Sequence, residues 1–407
     1  MNQDYSIINH AIFLAIILMS TGEVFRVFST PLYVYALGFA LGAYLIFPFG
    51  DNRRTHKLGR NKLLILAVSW LIWGLVLMLF TEVHYTFGFY RSLVINLTII
   101  LLIGLTATDE RSALYYSRAV IVGHIANLGV SIYEFQTGNH LVQLDSYYLR
   151  IFAHNALGFQ VNVNDNTSAL FIGMFLLLIS LATTPKYRLG KVISLAVTFY
   201  VIAKIGSRTG LLSILLSGSM FLYTYFVSKA FRDNRLRFLV DFAFFTLILL
   251  GLVAVFYDNH LISVIVGIFG DKAIHSDLRR LAILNEGIRH AYERMFVGLG
   301  PGVVTSKIGT NPHFLLLEIL ADYGVIILFL FLGVLMTLAK VSHLQVKPQI
   351  KSTMSAFSLG FITISVASSS LIRVRVVWIV LAIMFSLHRC YEARSNSYPL
   401  SQEERNI

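Results

Sequence analysis

Runs of about 18 or more mostly apolar residues recur from one end of this chain to the other. A helix needs roughly 20 such residues to cross the hydrocarbon core of a bilayer. The 407 residues are 56% hydrophobic and 13% charged, whereas a soluble domain carries a charged fraction of about 25%. Transmembrane β-strands alternate over short segments and produce no long apolar runs. The sequence therefore predicts an all-α, polytopic transmembrane helical bundle.

The hydropathy pattern predicts about twelve spans in a single integral membrane domain that covers residues 1–407. The expected spans are 7–23, 30–48, 63–80, 88–106, 118–134, 166–183, 192–206, 210–227, 238–256, 313–338, 352–370 and 372–388. No sequence repeat relates the two halves, which weakens a transporter interpretation, because transporter folds often contain such repeats.

The distribution of Lys and Arg predicts the orientation of these spans. The short loops 51–62, 107–118, 184–191, 228–237 and 339–351 contain 17 of the 33 Lys and Arg residues. The positive-inside rule places these loops, both termini and the tail 389–407 in the cytoplasm. The rule also accounts for most of the net charge of +12, so a nucleic-acid partner is not expected. One cysteine, Cys390, excludes an internal disulfide.

Two extracytoplasmic loops are long, at about 135–165 and 257–312, and long ordered loops are usually functional. Within the second loop, residues 276–296 have the three-and-four spacing of a helix that packs on the spans. The expected contact residues are Leu278, Leu281, Ala282, Asn285, Ile288, Ala291 and Tyr292. The glycines and proline of residues 298–302 end this helix in a tight turn.

The outer loop carries arginines against the positive-inside bias, among them Arg279, Arg280 and Arg289. A guanidinium fork matches phosphate oxygens bidentately, so a diphosphate group is a natural ligand. Solubility of the loop, or binding to anionic headgroups, accounts for these arginines equally well.

Acidic and imidazole groups begin the tenth span. His313 follows Asn311 and a proline at the expected helix start, and Glu318 lies further along the helix. Ionisable groups inside a span usually mark a site, and a histidine at a helix N-terminus is held toward its neutral form. An interfacial histidine and a structurally paired carboxylate are the alternative, and for Glu318 alone the better one.

Two further segments offer polar groups at the same side of the membrane. Arg208 joins two apolar spans and is a phosphate contact or a snorkelling turn residue. Asn162 and Asn164 open the sixth span, where amides suit sugar hydroxyls but are also common helix caps.

In their order along the chain, these segments resemble the O-antigen ligase and polymerase superfamily of bacterial membrane glycosyltransferases, over roughly residues 155–340. Arg280 followed by Leu284, Leu317 with Glu318, and His313 eleven residues before Gly324 fit the family pattern. One departure is Phe314, where the family usually has Asn, Ser or Gln after the histidine, with Asn311 here instead.

The resemblance implies glycosyl transfer from an undecaprenyl-diphosphate-linked glycan at the outer face of the bacterial cell membrane. His313 would be the general base and Glu318 would orient it. Arg208, Arg279, Arg280 and Arg289 would hold the diphosphate, and Asn162, Asn164 and Asn311 would contact the sugars. A reaction without metal or cofactor is expected, with flippase and chain-length regulator proteins as partners. Polymerisation of repeat units is favoured over ligase-type transfer, and a lipid-linked oligosaccharide flippase or transporter is the alternative of another class.

Overall fold

The computed structural model describes residues 3–21, 25–27, 30–46, 61–81, 86–141, 156–160, 162–230, 271–309, 314–365 and 371–397. Helices make up about 83% of this described part. The first eight helices are α1 (Gln3–Ser20), α2 (Leu32–Ile46), α3 (Lys62–Leu79), α4 (Thr86–Thr106), α5 (Glu110–Thr137), α6 (Val163–Thr183), α7 (Arg188–Ile205) and α8 (Arg208–Ala230). The others are α9 (Asp271–Glu293), α10 (Val303–Ile308), α11 (Leu315–Ala339), α12 (Pro348–Ile364) and α13 (Arg375–Ser397).

Two short strands and one 3₁₀ turn complete the described secondary structure. Strands β1 (Arg26–Val27) and β2 (Thr30–Pro31) pair in antiparallel register between α1 and α2. A single 3₁₀ turn, Leu371–Arg373, precedes α13.

Polar side chains fix where several helices begin. The side-chain oxygen of Asn61 accepts hydrogen bonds from the amides of Leu63 and Leu64 at the start of α3. Asp109 caps α5 through the amide of Ser112. These oxygens satisfy amides that have no partner within the helix, and each cap contributes about 1 kcal/mol.

The helices confirm the all-α class, and their length and composition indicate a membrane protein, but the number of spans is not confirmed. Within the described residues, six helices are long and apolar enough to cross a membrane, namely α3, α4, α6, α8, α11 and α13. Eleven of the twelve expected spans coincide with a helix of the described part, and the ninth, 238–256, lies outside the described residues. The count of twelve therefore stays a prediction.

The core of the bundle forms around α13. Almost every residue from Val374 to Leu387 is buried, and α13 packs against α1, α4, α5, α6 and α11. The Trp70 and Trp378 rings pack edge to face with their centroids 5.6 Å apart. The Trp70 and Tyr323 rings pack in the same way with their centroids 5.3 Å apart. Aromatic pairs in this geometry contribute about 0.5–1.5 kcal/mol beyond the area they bury.

A second contact surface joins α8 and α12 through small residues. Gly360 lies so close to α8 that an added Cβ would be 2.5 Å from the Ser217 hydroxyl. Small residues allow such close approach, and van der Waals packing then stabilises helix pairs in lipid, where no hydrophobic effect drives their association.

Loops that the charge pattern assigns to one side meet at one end of the bundle. The Lys62 ammonium donates to Thr337 at 3.1 Å, Lys191 donates to the carbonyl of Thr184 at 2.7 Å, and Lys347 donates to the carbonyl of Ala182 at 3.1 Å. We call this the basic end. The end at which α6, α8 and α11 begin is called the loop end.

Candidate functional site at the loop end

Helix α11 is interrupted at Gly324, whose backbone is not helical. Its φ is 87° and its ψ is 176°, a conformation with positive φ that favours glycine. Residues 297–302, here called the glycine turn, occupy this break. The amides of Leu299 and Gly300 donate to the carbonyls of Ala321 and Asp322, both at 2.9 Å. In return, the Val325 amide donates to the Phe296 carbonyl at 2.9 Å. The break in α11 is thus closed by backbone hydrogen bonds from the preceding loop.

Close backbone approach requires the glycine at the break. A Cβ at Gly324 would lie 2.2 Å from the Val297 carbonyl oxygen, at a φ that side chains rarely adopt. On the facing segment, a Cβ at Gly298 would lie 2.8 Å from the backbone of Tyr323. Two sequence motifs that lie more than twenty residues apart are therefore one structural unit.

Asp322 binds the C-terminal end of the glycine turn, where α10 begins. Its carboxylate accepts hydrogen bonds from the amides of Gly302 at 2.8 Å and Val304 at 3.0 Å, at the start of α10. The side chain is buried. These contacts give Asp322 a structural role as the cap of α10.

Helix α3 supplies contacts that the sequence did not indicate. The Trp73 indole donates to the Tyr323 carbonyl at 2.9 Å and to the Val297 carbonyl at 3.2 Å. Thr81 donates to the Leu299 carbonyl at 3.2 Å. An isolated Trp or Thr within an apolar span carries no sequence signal for such a role.

The loop helix α9 confirms the helix expected over residues 276–296, although it begins earlier, at Asp271. The expected packing face was wrong. Ile283, Gly287 and Ala291 are buried, whereas Ile288 and Tyr292 are exposed. Of the expected contact residues, Ala282 and Asn285 are exposed as well, the side chains of Leu278 and Leu281 lie outside the described part, and Ala291 alone is buried.

Helix α9 runs beside α11 in the same direction. A Cβ at Gly287 would lie 2.7 Å from the Leu317 side chain. Further along both segments, Phe296 is hydrogen-bonded to Val325. The first half of α9 therefore points toward the end of the pair at which α11 begins.

That first half of α9 carries two of the predicted site residues. Arg279 and Arg280 belong to α9 by their backbone, and their side chains lie outside the described part. Glu318 is buried in the first turn of α11, one residue beyond the Leu317 contact. His313 and Asn311 lie outside the described residues, and so does the side chain of Arg208 at the start of α8.

Arg289, which the sequence predicts to bind a diphosphate, forms an ion pair within α9. Its guanidinium is paired with the Glu286 carboxylate on the exposed side of α9. Nearby, His290 contacts Glu293 at 2.9 Å, and Lys307 lies 3.6 Å from the same carboxylate. The hydrogen bond from His290 and the neighbouring cations lower the pKa of Glu293 from its ordinary value. This charged strip lies on α9 outside its contact with α11.

At the start of α6, the side chain of Asn162 has a structural contact, whereas Asn164 contributes its backbone amide. The Asn162 side chain accepts from the Asn164 amide at 2.8 Å and so caps α6, as the alternative interpretation has it. No described contact brings Asn162 or Asn164 to the glycine turn.

A neighbouring buried network was missed from the sequence. Glu134 of α5 accepts from the amides of Leu157 and Gly158, both at 2.7 Å, and His140 lies 3.4 Å from its carboxylate. Asn127 accepts from the Phe159 amide and donates to Asn166, both at 2.8 Å. Polar residues four or seven apart on α5 were the available signal.

Among the residues that the structure describes, no group of His, Cys, Asp or Glu side chains is arranged to hold a metal ion. The loop end instead offers a helix that carries arginines beside the start of a broken span, and the first turn of that span contains a buried carboxylate. No protein family and no curated protein matches this chain.

Proposed function

We propose that the protein is a membrane glycosyltransferase that acts at the loop end on an undecaprenyl-diphosphate-linked glycan. One observation carries the proposal: α9 packs beside α11 in the same direction, with Gly287 against Leu317. This register directs the part of α9 that contains Arg280 toward the start of α11, where Glu318 is buried. In sequence, His313 comes directly before Phe314, the N-cap of α11.

The protein needs to contribute little covalent chemistry, because the bond between the sugar and the diphosphate is already activated. Arg279 and Arg280 would hold the diphosphate through bidentate hydrogen bonds and offset the charge of the leaving group. The oxygen of the acceptor hydroxyl would attack the anomeric carbon of the donor, and His313 would take the proton from that hydroxyl. The products are the glycosylated acceptor and the undecaprenyl diphosphate. Glu318 would orient the histidine.

Substitutions at Arg280 and His313 test this assignment. Arg280→Lys keeps the charge but loses the planar fork, so polymer formation should fall in Arg280→Lys as in Arg280→Ala. His313→Ala should lower the rate by roughly a hundredfold to ten-thousandfold. The measurement is glycan chain length in a complemented deletion strain, normalised to the amount of protein in the membrane.

Arg294→Ala is the matched control. Arg294 is exposed just beyond the end of α9, carries the same charge and has no role in the proposed site. It should leave the polymer at full length. Full-length polymer from His313→Ala at normal abundance would rule out His313 as the base.

We favour repeat-unit polymerisation over ligase-type transfer, on the resemblance of the motifs alone. The product separates the two. A polymerase lengthens the lipid-linked glycan, whereas a ligase leaves its length unchanged and moves it to a lipid or cell-wall acceptor. Loss of a polymerase therefore leaves single repeat units on that acceptor, and loss of a ligase leaves long chains on the undecaprenyl carrier.

The broken helix α11 favours a second candidate, a lipid-linked oligosaccharide flippase or transporter. Transporters often place binding sites at interrupted helices, and Asp322 is buried beside such a break. Against this function, the glycine turn fills the break and uses the carboxylate of Asp322. Deletion of a flippase traps lipid-linked repeat units inside the cell, whereas deletion of the glycosyltransferase leaves them outside.

A further inference from the structure

Helix α9 presents two unlike exposed flanks, and we infer that it lies at a boundary between lipid and water. Its apolar flank, formed by Ile288 and Tyr292 and continued by Met295 just beyond the end of the helix, contacts the hydrocarbon chains of the bilayer. Its charged flank, Glu286, Arg289 and Glu293, borders an aqueous cleft. The inference does not depend on the proposed glycosyl transfer.

The helix has three faces of about 120° each, given 3.6 residues per turn. Ile283, Gly287 and Ala291 form the face packed toward α11. Ile288 and Tyr292 lie on one side of that face and are 44% and 71% exposed. The charged flank lies on the other side, with its charges paired to one another. Different surroundings on the two sides account for this separation.

Depth places the end of α9 inside the hydrocarbon. The Trp73 indole donates to the carbonyls of both Val297 and Tyr323. Tyr323 comes eight residues after Leu315, which corresponds to about 12 Å along α11 at 1.5 Å per residue. The 25 residues of α11 span roughly 37 Å, only about 7 Å more than a hydrocarbon core. Val297 therefore lies below the membrane surface.

Exposed apolar side chains of the spans lie near the end of the apolar flank. Met295 is 85% exposed and precedes Phe296, which is hydrogen-bonded to Val325 of α11. Directly after Val325, Ile326 is exposed, and on α3 Ile72 is exposed next to Trp73. Ile326 and Ile72 belong to candidate spans and lie at the depth of Met295 in the membrane. We therefore infer that Met295 faces lipid as they do.

The charged flank cannot share that environment. Charged side chains inside the hydrocarbon are costly and usually face the bundle interior or a water-filled cavity. Glu286 and Glu293 are each more than two-fifths exposed as side chains. Water must therefore reach this side of α9 while lipid covers the other, and an amphipathic lipid-linked substrate would meet both environments here.

Spin labels at one residue of each flank test the inference. Single cysteines are introduced as Met295→Cys and Glu293→Cys in a Cys390→Ser background, and both proteins are labelled with a nitroxide in lipid vesicles. Glu293 is used because it lies close to the depth of Val297, whereas Glu286 precedes Gly287, which packs near the start of α11. Molecular oxygen concentrates in hydrocarbon, whereas a water-soluble nickel chelate remains in water. The label at position 295 should relax with oxygen and lose its response to the chelate. The label at position 293 should show the opposite preference.

Each other outcome overturns the inference. Chelate access at both positions means that α9 lies in water, and oxygen access without chelate at both means that no aqueous cleft exists. Protection of position 295 from both reagents, with broadening between labels, means that a second copy of the chain covers the flank. Met295→Ser without label is the folding control and should reach the membrane in normal amount.

Discussion

At the scale of single residues, Asp322 and Gly324 act together at the break in α11. The carboxylate of Asp322 takes up two amides at the start of α10, and Gly324 allows the Val297 carbonyl to approach α11. Their contacts are those of a joint between a loop and a span.

Asp322→Ala should destabilise the protein. Each amide left without an acceptor in this buried place costs about 1–3 kcal/mol. Asp322→Asn retains one acceptor oxygen, so its unfolding temperature should fall less than that of Asp322→Ala. The measurement is the unfolding temperature in detergent, and an unchanged value for Asp322→Ala would show that the two hydrogen bonds add nothing.

Gly324→Ala should displace the glycine turn, because the new methyl group meets the Val297 carbonyl at 2.2 Å. Gly333→Ala, on the same helix, is the matched control, since no heavy atom lies within 4 Å of its Cβ position. The control should be neutral or slightly stabilising, by up to about 1 kcal/mol. In protein solubilised in detergent, proteolysis within residues 294–302 should accelerate in Gly324→Ala only, and equal rates in the two variants would contradict the close approach.

At the scale of elements, polar side chains on α5 hold the chain that leads into α6. Asn127 and Glu134 together accept the amides of Leu157, Gly158 and Phe159. This segment has no regular structure of its own, so buried side chains must satisfy its backbone. The conformation of the α6 entrance thus depends on α5.

Asn127→Ala should therefore loosen the entrance to α6. It removes the acceptor of the Phe159 amide and the donor to Asn166, at a cost of about 1–3 kcal/mol for each buried group left unpaired. Asn139→Ala is the control, because Asn139 is exposed beyond the end of α5. Hydrogen exchange at residues 156–160 should rise in Asn127→Ala and remain unchanged in the control. Slow exchange in both variants would argue against the network.

At the scale of the whole molecule, contacts within the described part bring Lys62, Lys191 and Lys347 to the ends of α11 and α6, at one end of the bundle. This arrangement agrees with the charge distribution along the sequence, which predicts that the basic end is cytoplasmic. The loop end would then face outward, where a lipid-linked glycan would be extended.

Cysteine labelling tests that orientation. In a Cys390→Ser background, Ser276→Cys should react with a membrane-impermeant maleimide in intact cells, and Ser228→Cys should react only after the membrane is opened. The reverse pattern would invert the protein in the membrane and move the proposed site to the cytoplasmic side.

Within the part of the chain that the structure describes, the sequence by itself determined which segments are helical, because apolar runs of this length have no other way to satisfy their backbone in lipid. It also placed the helix of the outer loop. Hydropathy could not decide which face of α9 packs, since lipid is as apolar as a protein interior and both favour the same residues. Two residues of the expected stripe, Ile288 and Tyr292, lie on the exposed flank.

Only the tertiary structure decided what joins the loop to the bundle. The glycine turn and the break at Gly324 looked like separate signals, a helix stop and a glycine within a span. Their union rests on backbone hydrogen bonds between residues more than twenty positions apart, with Trp73 added from a distant helix. Such contacts leave no periodic pattern in the sequence, because a backbone amide or carbonyl is present at every position whatever its partner.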